Sequence, residues 1–335
     1  MHAAIDATAS TYPHPNPRVG CIIVTPNHDV LSVGVCHGDG LPHAEANALA
    51  SLADTDLARG ATAVVTLEPC SHHGRTPPCA DALVDAGVER VVIGAQDPDP
   101  KVSGNGIRKL TDAGIDVIVG VAADAVVAAD PAYFHHRTTG LPRVTLKMAT
   151  TLDGQAAAID GTSQWITDEA ARTDVHHLRS QNDVVLTGSG TVLADDPTLT
   201  VRYASFAGPQ PRPVVVVGNR SLPADAHVML RDPIVYGADS PGHVEVEAVI
   251  KDLGSRGVLS VLVEAGPTLS RAFLDAHAVD QVVWYLGAKL AGGAGRSAIG
   301  GTFNTLGDAV DLTVSDVTRF GSSLRITATP KWGSS

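Results

Sequence analysis

Short apolar runs alternate with alanine-rich, helix-periodic stretches along this chain. Gly20 to Thr25 and Val30 to Cys36 are apolar and flank the turn sequence Pro26-Asn27-His28-Asp29, which predicts a hairpin. A helical run from Ala44 to Ala53 follows, then a strand at Thr62 to Leu67 and a helix opened by Cys79. Two prolines precede Cys79, and proline is tolerated at a helix start. The pattern continues with a strand at Arg90 to Ala95, a helix near Asn105 to Ala113, a strand at Asp116 to Val121 and a helix from about Ala123. This succession predicts an α/β layered domain with helices covering a mixed sheet.

The helix ending at His135-His136-Arg137 gives way to the polar, Gly/Pro stretch Thr138-Thr139-Gly140-Leu141-Pro142. A strand pattern then opens at Arg143 to Ala149. Two domains are expected, 1–138 and 143–331, as the length also suggests. In the second, Gly188-Ser189-Gly190-Thr191 follows a strand at Asp183 to Thr187. Glu264-Ala265-Gly266-Pro267-Thr268-Leu269 follows a strand at Leu259 to Val263 and leads into a helix from Leu269 to Ala276. Strand, small-residue turn and helix start together form an anion-binding arrangement. No G-x-G-x-x-G follows the first strand, so a standard Rossmann dinucleotide domain is not expected.

A hydrophobic fraction of 44% suffices for sizeable cores, and a net charge of -12 argues against a nucleic-acid partner. No apolar run is long enough to span a membrane, and the opening residues lack a signal-peptide pattern. Four cysteines suit a reducing, cytoplasmic setting better than a disulfide framework. Cys21 and Cys36 fall in strand-like segments and read as core.

The other two cysteines belong to the most informative feature. Pro42-His43-Ala44-Glu45 is followed by Leu67-Glu68-Pro69-Cys70 and Thr76-Pro77-Pro78-Cys79. The order H-x-E…P-C…C is the signature of zinc-dependent deaminases of bases and nucleosides. His43, Cys70 and Cys79 are the expected zinc ligands. Three protein ligands leave a fourth position open for water. Glu45 is expected to move protons on and off that water. A helix start at Cys79 favours thiolate over thiol. Three other readings use the same residues. One is a closed structural zinc site with His72 or His73 as fourth ligand. Another is a zinc deaminase acting on a different base or on RNA. The last is a chain in which only one half works.

Most such deaminases space their cysteines C-x-x-C, whereas here eight residues, Ser71 to Pro78, intervene. That longer connection, with Pro15-Asn16-Pro17-Arg18-Val19-Gly20 and Asp97-Pro98-Asp99-Pro100, resembles the bifunctional riboflavin-biosynthesis deaminase/reductase family. The resemblance extends through Met148-Ala149-Thr150-Thr151-Leu152-Asp153-Gly154, Ser163-Gln164-Trp165-Ile166-Thr167, Gly190 to Pro197 and Glu264 to Leu269. It implies a cytidine-deaminase-like domain followed by a dihydrofolate-reductase-like α/β domain. Where the family carries a longer opening helix, Met1 to Ala9 allows only a stub.

The implied reactions are removal of the 2-amino group of a phosphoribosylaminopyrimidine, then reduction of its ribosyl group to ribityl. Zinc and NADPH are the implied cofactors, and a homo-oligomer, dimer or tetramer, the implied assembly. In the first half, Asn16, His37 and Arg75 are candidate substrate contacts, with Lys101 a second candidate for the ribose phosphate. In the second, the resemblance assigns Ala149, Trp165, Thr191, Asp195 and the turn Gly266, Pro267, Thr268, Leu269, Ser270, Arg271 and Ala272 to the cofactor. It assigns Ser163, Arg179, Leu199, Arg202 and Glu264 to the substrate. Both arginines suit phosphate, which guanidinium groups pair bidentately. Trp165 equally suits a core anchor. Lys147 and Asp195 are the candidate acid/base groups.

Overall fold

The computed structural model describes residues 1–38, 40–72, 77–100, 102–237 and 244–332. A short helix, α1 (His2–Ala7), buries Ala4 ahead of the antiparallel hairpin β1 (Gly20–Val24) and β2 (Val30–Val35). Next come α2 (Ala44–Ala50), β3 (Thr62–Leu67), α3 (Cys79–Asp85), β4 (Arg90–Ala95), α4 (Asn105–Asp112) and β5 (Asp116–Val119). Two helices, α5 (Ala123–Ala129) and α6 (Pro131–Thr139), complete the first compact unit, Met1–Gly140. Its five strands lie in the order β2-β1-β3-β4-β5. The tight turn makes β2 antiparallel to β1, while α3 and α4 are the crossovers that keep β3, β4 and β5 parallel. Cys21, Ile23, Val65 and Ile93 are wholly buried in this sheet, so Cys21 is core, as is Cys36 at 3% exposure.

Three expected boundaries of the first unit move by two or three residues. α2 stops at Ala50, where the Ser51 hydroxyl donates to Asn47 O. β5 stops at Val119, before Gly120 turns the chain at φ 91°. α6 runs two residues past Arg137. The Thr138 and Thr139 hydroxyls satisfy the Phe134 and His135 carbonyls, and Gly140 closes the helix at φ 75°.

In the second compact unit, Leu141–Ser335, the long strand β6 (Arg143–Thr151) is followed by β7 (Gln155–Ala157), α7 (Glu169–Ser180), β8 (Val184–Gly188) and α8 (Ser189–Asp195). β9 (Arg212–Val216), β10 (Ile234–Tyr236), α9 (Val246–Ser255), β11 (Ser260–Val263) and α10 (Pro267–Asp275) come next. β12 (Gln281–Gly287), β13 (Arg296–Ser297), β14 (Leu312–Phe320) and β15 (Ser323–Pro330) end the fold. Eight strands form one sheet in the order β10-β9-β8-β11-β6-β12-β15-β14, and β7 pairs with β13 separately. The six strands from β10 to β12 are parallel, and β15 and β14 add antiparallel. A parallel sheet covered on both faces needs continuous apolar strands, which Val184-Val185-Leu186 and Val261-Leu262-Val263 provide. Among the described residues no helix is long and apolar enough to cross a membrane.

One glycine fixes where the first site sits. A Cβ on Gly34 of β2 would fall on Ala44 O and Ala48 N of α2. The helix therefore lies directly on the strand backbone. Gly34→Ala is expected to cost the first unit about 1–3 kcal/mol through overpacking. All three tryptophans, Trp165, Trp284 and Trp332, lie in the second unit. Denaturant unfolding should thus show an earlier far-UV dichroism transition and an unmoved tryptophan fluorescence transition.

Candidate functional site

Three separate elements deliver three ligand-type atoms to one point. His43 is the N-cap of α2, Cys70 follows β3, and Cys79 is the first residue of α3. Their side-chain donor atoms all lie within 4.8 Å of one another. His43 Nδ1 is 3.3 Å from Cys79 Sγ and 3.6 Å from Cys70 Sγ. Ligand atoms around a tetrahedral zinc at ordinary bond lengths stand roughly 3.5–3.8 Å apart. The donor set and its spacing therefore fit zinc. Among the described residues the cluster has these three members and no fourth. His72 is not part of it, and His73 lies outside the described residues.

Protons are contested here, as expected where one cation belongs. A hydrogen bond from the Cys79 thiol, aided by His43 and the Cys79 N–H at 3.3 Å, holds Cys70 down to about 4 despite burial. Cys79 keeps the shared proton, so that bond, with burial behind it, pushes its thiol far up. His43 is raised, chiefly by its hydrogen bond to Cys70. Glu45, on the first turn of α2, is 3% exposed, and burial pushes its carboxyl up to about 7.

A cleft of about 400 Å³ opens over the cluster and is lined by His43, Glu45 and Cys70. Asn16 lines it too, its amide donating to Gly38 O at 3.3 Å. His37 is exposed and is not among the lining residues. Arg75 and Lys101 lie outside the described residues. Among the wall residues given no role from the sequence are Asp97, Tyr133 and Arg137. Burial raises the Asp97 carboxyl to about 6, and it accepts from the Tyr133 hydroxyl at 3.1 and 3.2 Å. The Arg137 guanidinium stacks 5.1 Å over the Tyr133 ring. The available signal was the Asp97-Pro98-Asp99-Pro100 string, whereas Arg137 read only as the end of a helix.

In the second unit a charged cluster forms where β11 ends beside β6. Glu264 follows β11 and receives Arg179 Nε at 2.5 Å and Nη2 at 3.0 Å. Lys147 of β6 stands 3.7 Å from the same carboxylate. Burial alone would raise Glu264, but the charges of Arg179 and Lys147 prevail and hold it down to about 2. Lys147 is lowered, because its desolvation outweighs the Glu264 charge. The third Arg179 nitrogen donates to Thr200 O, and Arg202 reaches the Thr200 hydroxyl, so both expected arginines meet at one residue.

The other expected contacts are more dispersed. Thr191 lies against Gly266, where an added Cβ would sit 3.8 Å from its hydroxyl. The turns after β8 and β11 thus face each other. Leu269 packs beside Gly188. Ala149 and Ser163 are half-buried, while Asp195 and Arg202 are exposed. Trp165 is 58% exposed with the Arg172 guanidinium 4.3 Å from its ring centre, so it is not a core anchor. Leu199 packs into a core cluster with Val185 and Val192. Ser270 is fully buried and donates to Ala265 O. Neither side chain is open to solvent. Pro267, Thr268, Arg271 and Ala272 lie on the first turns of α10, where Arg271 pairs with Asp275.

The Glu264 carboxylate is ionised in the folded state down to about pH 2, whereas its ordinary value is 4.5. Its contribution is fully present above about pH 4.5 and is lost as pH falls through 2. Glu264→Gln, which strands two buried cations, is expected to cost about 3 kcal/mol at pH 7. That deficit should shrink between pH 4.5 and 2, measured by tryptophan-fluorescence unfolding at stepped pH.

Comparisons with known proteins agree with this layout. The model for the cytidine and deoxycytidylate deaminase zinc-binding region matches residues 1–95, and that for the RibD C-terminal domain matches residues 142–326. The Escherichia coli riboflavin biosynthesis protein RibD is 40% identical over 84% of this chain and 84% of its own length. Its Mycobacterium tuberculosis counterpart is 44% identical over 84% of this chain and 81% of its own. The Acinetobacter baumannii RibD structure superposes with a TM-score of 0.92 at 35% identity, covering 99% of this chain and 98% of that one. A Thermotoga maritima diaminohydroxyphosphoribosylaminopyrimidine deaminase/5-amino-6-(5-phosphoribosylamino)uracil reductase gives 0.89 at 34%, covering 99% and 97%. With a deaminase-type zinc cluster in one unit and the RibD C-terminal fold in the other, this chain belongs to the RibD family of riboflavin biosynthesis proteins.

Proposed function

We propose that this chain carries out two consecutive steps of riboflavin biosynthesis. The first unit hydrolytically deaminates 2,5-diamino-6-(5-phosphoribosylamino)pyrimidin-4(3H)-one to 5-amino-6-(5-phosphoribosylamino)uracil. The second reduces the ribosyl side chain of that product to ribityl with NADPH. The observation that carries this reading is the meeting of His43, Cys70 and Cys79 beside buried Glu45 in a chain whose other half matches the RibD C-terminal domain.

His43 and the Cys70 and Cys79 thiolates would hold zinc. When bound, zinc supplies Lewis acidity that lets a water ionise near neutral pH. Glu45 takes a proton from the attacking water and passes it to the ring nitrogen, then takes the second proton from the hydroxyl left on the ring carbon and gives it to the departing amine. Its burial suits a carboxyl that must both accept and donate. Asn16 orients the pyrimidine, with Arg75 as a further substrate contact. Ammonia leaves and the ring carbon gains a carbonyl.

NADPH supplies the hydride in the second unit. Ala149, Trp165, Thr191, Asp195 and the turn from Gly266 to Ala272 hold it. Arg179, Glu264, Arg202 and Ser163 contact the substrate, and Leu199, its side chain buried in the core, offers its backbone. The convergence of both arginines on Thr200 supports a phosphate site there. Lys147 and Asp195 are the proton-handling candidates. We place the enzyme in the cytoplasm, consistent with its four free cysteines. We also assign it a homo-oligomeric state, dimer or tetramer. The exposed apolar residues of β14, Leu312, Val314 and Val317, support an assembly through the second unit, and sedimentation velocity tests it.

The test supplies the diaminopyrimidine substrate first without and then with NADPH, following ammonia and NADPH separately. Ammonia should appear alone in the first stage, with comparable NADPH oxidation in the second. Glu45→Gln should lower ammonia release by about 10²–10⁴-fold. It should leave NADPH oxidation on supplied deaminated substrate unchanged. Retained ammonia release would remove Glu45 from the mechanism.

A further inference from the structure

Glu68 precedes Cys70 by two residues and is 4% exposed, and among the described residues its carboxylate pairs with backbone alone. Oε1 accepts from Gly106 N at 2.9 Å and Ile107 N at 3.2 Å. Oε2 accepts from Gly104 N at 2.9 Å and Asp97 N at 3.4 Å. Three of these donors form the start of α4, which has no acidic residue in its first turn and no capping side chain from Gly104. The orphan N–H groups of one helix are therefore satisfied from a different segment, the one that carries a zinc-ligand cysteine. Between Glu68 and Cys70, the Pro69 carbonyl lies where a Cβ on Gly106 would be. The Glu68 N–H is itself fixed to Ala95 O at 3.0 Å.

We infer that Glu68 is a positioning residue for the metal site: by clamping the Cys70 loop onto the α4 start, it sets how tightly zinc is held. This rests on the assignment of Cys70 as a zinc ligand. A glutamine does not fit the clamp. Four N–H donors converge on two oxygens, and an amide would turn its own N–H groups toward two of them. Aspartate is a methylene shorter. Gly106 belongs to the same device, since it alone lets Pro69 approach.

The experiment measures zinc affinity by chelator competition, independently of turnover, in Glu68→Gln, Gly106→Ala and Cys70→Ser. Far-UV dichroism of each full-length protein serves as the folding control. Glu68→Gln and Gly106→Ala should each weaken zinc binding by about 10–100-fold while remaining folded. NADPH oxidation on deaminated substrate should be unchanged in both. A folded Glu68→Gln protein that holds zinc as wild type does, while Cys70→Ser does not, overturns the inference and leaves the ligand assignment intact. A Glu68→Gln protein that fails to fold also overturns it, since Glu68 would then serve the fold and not the metal. Wild-type affinity in Cys70→Ser would instead sink the ligand assignment itself.

Discussion

Everything in the first unit answers to one constraint: two sulfurs and a ring nitrogen must meet although their residues come from three elements. Each element is held against the others by backbone. α2 rests on β2 through Gly34, and the Cys70 loop rests on α4 through Gly106. Cys79 joins by opening α3, from which its own N–H reaches Cys70 Sγ. The site is thus prepared for positive charge by the fold before any ion arrives, and a buried carboxylate is stationed beside it.

The second unit handles charge in the opposite way. It buries Arg179 and Lys147 around one carboxylate, leaving a surplus of positive charge at the carboxyl end of a parallel sheet. Ligands of open α/β sheets commonly bind beyond those strand ends. The turns after β8 and β11 face each other there. An anionic substrate would there meet Lys147, whose desolvation the Glu264 charge offsets only in part.

What could be read in advance follows from how local the determinants are. β3 and β4 were legible to the residue because each is a mostly apolar segment with a paired strand on both sides inside a mixed sheet. The gathering of His43, Cys70 and Cys79 was legible because metal chemistry allows few residue types, and their spacing marks the motif. Contacts across long separations were not. Tyr133 meets Asp97 across 36 residues, and Arg179 meets Glu264 across 85, with no local pattern announcing either pair. β14 was equally silent, since its residues are mostly exposed and carry no buried face to betray a strand. Thr138 and Thr139 looked like a linker, yet their hydroxyls extend the helix.

The place of β6 in its sheet has a consequence for how the protein is made. It is the first strand of its unit to leave the ribosome, yet it lies between β11 and β12, whose residues are more than a hundred positions downstream. At ordinary elongation rates that gap lasts on the order of ten seconds. Throughout it, Val144, Leu146 and Met148 have no sheet to enter, while all the strands of the first unit have already emerged. Translation therefore yields one finished domain trailing an unpaired apolar strand. The burden on cellular chaperones falls on the half of the chain that is synthesised last.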